Sequence, residues 1–529
     1  MHGANFVGGR LSSGGDQKIE ATNPATGEPL EGLFVTATAE ETDEAVRLAK
    51  EAFALYRAVT VEARAAFLEA IADEIVAIGD PLLERAQSET GLPLARLTGE
   101  RGRTVGQLRM FAAYIREGSW VQARIDPALP DRKPLPRADI RRMLIPIGPV
   151  AVFGASNFPF AFSVAGGDTA SALAAGCPVV VKAHPAHPGV SELTAAAVIA
   201  AAQRTGMPNG AFSMLHGGKE TGVQLVSHPL LQAVGFTGSL GAGRALFDAA
   251  ARRPRPIPVY AEMGSVNPVF ILPHALAERT SPLAAGLAQS ITLGVGQFCT
   301  NPGIVVGVAG PELETLRSEL GALIAVAPPG VMLTPGISKA YAAGVDRLAS
   351  TDGVSVIGKA GVAGEAPKSS AYAALFATDA DGFINGHDVA EENFGPSSVL
   401  VTCDTKIELE AVANAMEGQL TATVHGTAVD FAEHQDLIHV LETKVGRLIF
   451  NGYPTGVEVG HAMQHGGPYP STTDSRSTSV GTDAIDRFVR PICYQDMPAN
   501  QLPVELDNAN SRNIMRLVDG VWTRDPIAL

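Results

Sequence analysis

The sequence predicts an α/β protein of at least two domains, and three observations carry that expectation. A chain of 529 residues is too long for one hydrophobic core. From about residue 145, short apolar runs alternate with Ala-rich stretches, the rhythm of a parallel sheet covered on both faces. A composition of 46% hydrophobic and 18% charged residues supplies the apolar surface that such sheets bury and excludes a disordered chain.

In chain order, residues 38–57 read as an amphipathic helix. Thr38 and Glu41 form a capping box, and Val46, Ala49 and Phe53 share a face. A second helix is predicted over 61–77, with Phe67, Ile71 and Ile75 in register and Gly79 as its stop. A third, at about 101–115, carries Arg101, Arg103 and Arg109. Strands are predicted at Val150–Phe153, Pro178–Lys182, Phe212–Leu215, Ala233–Phe236 and Val259–Glu262, with helices over 188–205, 219–227 and 241–251. The rhythm resumes past Gly264 as a second α/β unit, to about residue 460. The Arg- and Pro-rich segment 123–147 fits neither unit, and the last stretch is polar and weakly patterned.

Bulk properties narrow the function classes. A formal charge of −15 argues against a nucleic-acid or anionic-membrane partner, which needs a basic face. No run approaches about 20 apolar residues, so no membrane-spanning helix is expected, and the first residues have no signal-peptide pattern. Four cysteines (177, 299, 403 and 493) give neither a disulfide framework nor a Cys-x-x-Cys pair, which suits a reducing cytoplasm. No His/Cys/carboxylate group has ligand spacing along the chain, so no metal is expected.

The chemistry concentrates at three places. Cys299 lies in Gly296-Gln297-Phe298-Cys299-Thr300-Asn301, a poor core environment but a good exposed turn for a reachable thiol. Cys177, between Gly176 and Pro178, reads instead as a core position at a strand start. Glu262 ends an apolar strand, and Asn157 occupies the turn Gly154-Ala155-Ser156-Asn157-Phe158-Pro159. A thiol, a carboxylate base and an amide donor are the parts needed to capture a carbonyl carbon and hydrolyse a thioester. Lys182 ends another apolar strand, where a sheet offers a ligand crevice. Gly238-Ser239 opens a helix whose N-terminus suits an anion. The Gly-x-Gly-x-x-Gly fingerprint is absent, since Gly241-Ala242-Gly243 lacks its third glycine.

In this order, with Phe236-Thr237-Gly238-Ser239 between them, these motifs resemble the aldehyde dehydrogenase superfamily over about residues 20–490. Phe153–Pro159, Lys182–Pro188 and Gly296–Gly303 are similar to one subgroup, the NADP-preferring and 2,5-dioxopentanoate (α-ketoglutarate semialdehyde) dehydrogenases. The resemblance implies two doubly wound α/β domains: a dinucleotide-binding domain of residues 1–128 and 149–262, and a catalytic domain of 263–460. A β-type oligomerisation arm and C-terminal tail (129–148 and 480–529) would pair subunits into a homodimer or homotetramer. It makes Cys299 the nucleophile and Glu262 the general base, with a pKa expected to be raised toward neutrality by burial. Asn157, with the Cys299 backbone N–H, becomes the oxyanion hole.

For the cofactor the resemblance implies Lys182, His184, Pro185, Lys219, Gly238, Ser239, Glu392 and Phe394. NADP is expected over NAD, though NAD stays possible, because Pro185 stands where NAD-preferring relatives carry a glutamate that would repel a 2′-phosphate. For the substrate it implies Arg103, Phe158 and Phe298, with Arg103 as partner of a carboxylate. Arg101 is its rival, and Arg109 looks structural. One departure is Ser265-Val266 in place of the usual Gly-Lys. The implied reaction is oxidation of 2,5-dioxopentanoate to 2-oxoglutarate. A broad-specificity or fatty-aldehyde NADP-dependent dehydrogenase remains open. A CoA-acylating enzyme is disfavoured by Glu262, and a non-enzymatic relative by the intact catalytic set.

Overall fold

Each predicted strand of the first α/β unit is buried along almost its whole length, which is why these runs carry no polar alternation. The computed structural model describes residues 1–361 and 367–527. The strands pair in the spatial order Val259–Glu262, Ala233–Thr237, Val150–Phe153, Val179–Lys182, Phe212–Leu215, all parallel. A short N-terminal hairpin, Asn5–Val7 and Arg10–Ser12, extends this sheet antiparallel to Phe212–Leu215, an element the sequence pattern did not disclose. The order reverses between Val150–Phe153 and Ala233–Thr237, and ligands bind outside the carboxyl ends of strands at such a switch. The loops leaving those ends carry Asn157 and Gly238-Ser239.

The helices follow from local signals. Ala39–Tyr56 starts at Thr38, whose side chain and that of Glu41 complete the capping box, and Val61–Ile78 ends at Gly79 with φ +72°. The helix expected at about 101–115 runs instead over Leu94–Glu117. Its start lacks a side-chain cap and Gly99, Gly102 and Gly106 interrupt its pattern, so its first turns depend on packing that a propensity argument does not see.

The second sheet has the order Ser355–Lys359, Ala374–Asp379, Ser397–Cys403, Ile304–Val308, Val269–Ile271, Gln419–His425, Val445–Phe450, parallel except at its first pair. A third sheet joins Val489–Gln495, Ile140–Pro146, Arg124–Asp126, Arg516–Val518 and Val521–Thr523. The weakly patterned chain end therefore shares a sheet with the Arg/Pro-rich segment. Among the described residues no helix is long and apolar enough to cross a membrane.

Candidate active site

The Cys299 turn is set by backbone conformation before any side chain acts. Helix Pro273–Thr292 is followed by Gly294, Val295 and Gly296 with φ of +56°, +60° and +63°. Left-handed backbone is open to glycine, but a β-branched Val295 there stores strain of order 1–3 kcal/mol. A Cβ on Gly296 would fall 2.3 Å from the carbonyl carbon of Gly395, so that close approach needs glycine. Gln297, fully buried, accepts from the Leu333 N–H at 3.0 Å. Asn267 donates from Nδ2 to the carbonyls of Ser265 (3.1 Å), Cys299 (2.8 Å) and Asn301 (2.9 Å). The Cys299 backbone is therefore held from both sides.

Cys299 Sγ is half-buried and lies 3.4 Å from His465 Nε2. The same Nε2 is 3.1 Å from Glu262 Oε1. That contact is close enough for an ion pair but poorly aligned for a hydrogen bond, since Oε1 finds no well-placed donor. The other oxygen, Oε2, accepts from the Ser479 hydroxyl. The segment bearing His465 and Ser479 is tied to itself: the His465 N–H donates to Thr478 Oγ1 at 2.8 Å, and the Ser479 N–H to the His465 carbonyl at 2.8 Å. A Cβ on Gly467 would lie 2.1 Å from the Gln419 carbonyl oxygen, so the backbone can approach only as glycine.

These neighbours decide the charge states. Burial pushes the Glu262 carboxyl up, but the His465 ring, the Ser479 hydroxyl and the Cys299 thiol outweigh it and hold it below its usual 4.5. The expectation of a base raised toward neutrality is therefore corrected, because burial acts here alongside donors that favour the carboxylate. Burial, and then the adjacent Glu262 charge, push the Cys299 thiol well above its usual 9.0. The resting thiol is therefore protonated, and any attack through its sulfur would need a base.

Asn157 is buried, and its Nδ2 donates to the Gln297 carbonyl at 3.2 Å, two residues before the thiol. Arg96 holds the turn through the Asn157 carbonyl at 2.7 Å. Glu100, on the same helix, accepts from the N–H groups of Phe160 and Ala161 at 2.8 and 3.0 Å. The Cys299 N–H has no acceptor among the described residues. A carbonyl oxygen on a carbon bound to Sγ thus has two donors near it.

Beside the thiol, Phe162, Phe158 and Phe298 form a ring-edge series with neighbouring centroids 5.4 and 5.7 Å apart. Arg96 stacks over Phe298 at 4.6 Å, and Arg103 over Phe162 at 5.5 Å. Arg103 donates from Nη1 to the Val457 carbonyl at 3.0 Å, while its Nε and Nη2 are buried with no partner. Arg101 instead binds the Gly79 carbonyl at 3.0 Å, and Arg109 forms a surface ion pair with Asp73. Arg447 braces the neighbouring carbonyls of Gly456 and Pro454 and has a buried, unpartnered Nε. Both Arg103 and Arg447 lie within electrostatic reach of Cys299.

Lys182 is 9% exposed at its strand end, and its ammonium has no hydrogen bond or ion pair among the described residues. Burial lowers it to about 8. Pro185 is exposed. His184 accepts from the Ala186 N–H at 3.1 Å, and burial holds it well below its usual 6.5, so it offers an uncharged donor rather than a cation. Lys219 is exposed at the start of helix Lys219–Ser227, and Ser239 caps the exposed start of helix Leu240–Ala251 through the Ala242 N–H. Glu392 and Phe394 line a cleft with Ser265, Gly296, Phe298 and Asn301. A lysine at a strand's carboxyl end and exposed helix starts at Lys219 and Leu240 are features of the kind that suit a dinucleotide's ribose hydroxyls and phosphates.

The sequence reading missed His465, Ser479, Asn267 and Arg447. For His465 a signal existed, since His465-Gly466-Gly467-Pro468 is a turn of the same character as the one bearing Asn157. The others become visible only in contact with the Cys299 loop or the cleft beside it.

A half-buried thiol, a buried carboxylate and nearby amide donors are the parts of a site that can capture an aldehyde carbon, and the class they point to is the oxidoreductases acting on aldehydes. The chain belongs to the aldehyde dehydrogenase family, whose model matches residues 11–491. It is 53% identical over 524 residues to alpha-ketoglutaric semialdehyde dehydrogenase 2 of Azospirillum brasilense, covering 98% of this chain and 99% of the relative. It is 46% identical over 527 residues to the alpha-ketoglutaric semialdehyde dehydrogenase of Acinetobacter baylyi, covering 99% of each. Among solved structures it resembles aldehyde dehydrogenase 21 of Physcomitrella patens in complex with succinate. That match has a TM-score of 0.78 and 20% identity, and covers 94% of this chain and 99% of that one. At that identity the likeness speaks to the fold.

Proposed function

We propose that this enzyme oxidises 2,5-dioxopentanoate to 2-oxoglutarate, with NADP as its preferred acceptor. The observation that carries the substrate is Arg103. Two of its N–H groups are buried without acceptors, over Phe158 and Phe162 and within electrostatic reach of Cys299. Buried donors without partners are costly, and a planar guanidinium matches a carboxylate as a fork. A five-carbon keto acid with its aldehyde at Cys299 places its carboxylate several ångströms away, toward such a group. The identity to two alpha-ketoglutaric semialdehyde dehydrogenases over nearly the whole chain supports the same substrate.

In this reading Cys299 Sγ adds to the aldehyde carbon while its proton passes toward His465 and Glu262. Asn157 Nδ2 and the Cys299 N–H hold the oxygen as it becomes an alkoxide. Lys182 and the helix starts at Lys219 and Ser239 would hold the dinucleotide, which when bound would supply the acceptor for oxidation of the substrate to the acyl level. Glu262, coupled to His465, then takes a proton from the water that attacks the Cys299 thioester, and the thiol is regenerated with the acid product. A carboxylate held low by its neighbours is a weak base alone, so the His465 ring is part of the base.

NADP preference rests on Pro185, which leaves no carboxylate to repel a 2′-phosphate near Lys182 and Lys219. The third sheet serves subunit pairing, and the cytoplasm is the compartment that keeps Cys299 reduced. A comparison of kcat/KM for 2,5-dioxopentanoate, succinic semialdehyde and hexanal with both cofactors tests the proposal. Preference for hexanal outright would place the enzyme among fatty-aldehyde dehydrogenases, and higher kcat/KM with NAD would overturn the cofactor reading.

A further inference from the structure

No metal was expected, because ligand spacing is missing along the chain, yet the fold assembles one such group. Glu262, Cys299 and His465 each offer a ligand atom, and all lie within 4.8 Å of one another. Observed separations are 3.4 Å from Sγ to Nε2 and 3.1 Å from Nε2 to Oε1. Around a tetrahedral zinc, with bonds of about 2.3 Å to sulfur and 2.0–2.1 Å to nitrogen and oxygen, the matching edges are about 3.6 and 3.3 Å. Two of the three edges of a coordination face thus already stand within a few tenths of an ångström of their length around zinc, and the third, between Sγ and the Glu262 carboxylate, is within 4.8 Å. Independently, Glu262 Oε1 is buried and lacks a well-aligned donor on the side facing the other two.

We propose that the catalytic centre is also a reversible binding site for a thiophilic divalent cation of the zinc class, with Cys299, His465 and Glu262 as three protein ligands. A cation bound there silences the dehydrogenase. The set combines a soft thiolate, an imidazole and a carboxylate, the donors that zinc and cobalt accept together. Thiolate and carboxylate balance the dication, so the buried site is neutral once filled. Cys299 is the half-buried member and gives the ion its approach. Binding breaks the S–H bond and forms a sulfur–metal bond, and the proton leaves to solvent; nothing is oxidised or reduced. Ser479, donating to Glu262 Oε2, is the outer partner that orients the carboxylate.

The test uses the whole enzyme and Co²⁺, whose spectrum reports its ligands, followed by Zn²⁺ competition. Co²⁺ is expected to give a thiolate-to-metal charge-transfer band with four-coordinate visible bands, both removed by Zn²⁺. It should also protect Cys299 from iodoacetamide in wild-type protein, read by mass spectrometry, and a chelator should restore dehydrogenase activity. Ser479→Ala is expected to weaken binding about 10- to 100-fold, and Cys299→Ser and His465→Asn to abolish the charge-transfer band. Cys493, the exposed thiol, is the competing site. A band that persists in Cys299→Ser and vanishes in Cys493→Ser overturns the proposal, as does undiminished alkylation of wild-type Cys299 at saturating Co²⁺.

Discussion

Arg103→Met removes the carboxylate partner while keeping a long apolar stem against Phe158 and Phe162. In the wild type, Nε and Nη2 are free to bind a substrate and Nη1 is spent on Val457. A hydrogen bond to a charged group contributes about 1.5–3 kcal/mol. Counting the two free donors as one bidentate unit, that is roughly a 10- to 150-fold loss of kcat/KM for 2,5-dioxopentanoate. Release of the Val457 carbonyl affects every substrate, so the informative quantity is the ratio of kcat/KM for 2,5-dioxopentanoate to that for hexanal. That ratio is expected to fall at least tenfold in Arg103→Met and less in Arg103→Lys, which keeps the charge but loses the fork. Equal losses for both aldehydes would show that Arg103 only anchors the loop at Val457, and the substrate reading would lose its main support.

Cys299→Ala is expected to leave less than about one thousandth of kcat with dinucleotide affinity, measured by fluorescence titration, nearly unchanged; larger residual turnover would displace the nucleophile assignment. Glu262→Gln is expected to give a stoichiometric burst of reduced cofactor and then stall, with an acyl group on Cys299 detectable by mass spectrometry. The same variant tests the thiol's electrostatics. Burial and Glu262 hold Cys299 above 9.0, so its thiolate fraction at neutral pH is small and alkylation of free enzyme should rise with pH past that value. Removing the Glu262 charge takes away the largest cause after burial, with Arg103 still lowering the thiol and Glu392 still raising it, so the rise should begin at lower pH in Glu262→Gln, and an unmoved profile would discount the coupling. Pro185→Glu is expected to shift the NADP/NAD ratio of kcat/KM toward NAD, because like charge near a 2′-phosphate is costly in a partly desolvated site. Asn267→Ala leaves the carbonyls of Ser265, Cys299 and Asn301 short of a donor, at about 1–3 kcal/mol for each that stays buried. Its melting temperature and kcat should both fall, and an unchanged kcat would mean the Cys299 turn holds without it.

The sequence by itself determined what depends on neighbours in the chain. The capping box at Thr38 and Glu41 starts Ala39–Tyr56, and Gly79 ends Val61–Ile78. The all-apolar strands are buried because their residues leave no polar face to solvate. Cys299, Glu262 and Asn157 were legible as candidates because each interrupts an apolar or glycine-rich context with a reactive group. Tertiary structure alone decided what depends on residues far apart. His465 is 166 positions from Cys299 along the chain, and Ser479 is 217 from Glu262. Which of Arg101, Arg103 and Arg109 lies beside the Cys299 turn and its phenylalanines is a matter of rotation about one helix and of what packs against each face. The hairpin at Asn5–Val7 and the strands at Arg516–Thr523 are too short to announce themselves by period and exist because a sheet edge accepts them. The carboxylate's charge state is the sharpest case. Burial is a local expectation for an apolar strand end and would raise Glu262, but the His465 ring and the Ser479 hydroxyl, brought in from far along the chain, reverse it, because electrostatic energy depends on distance in space and not along the chain.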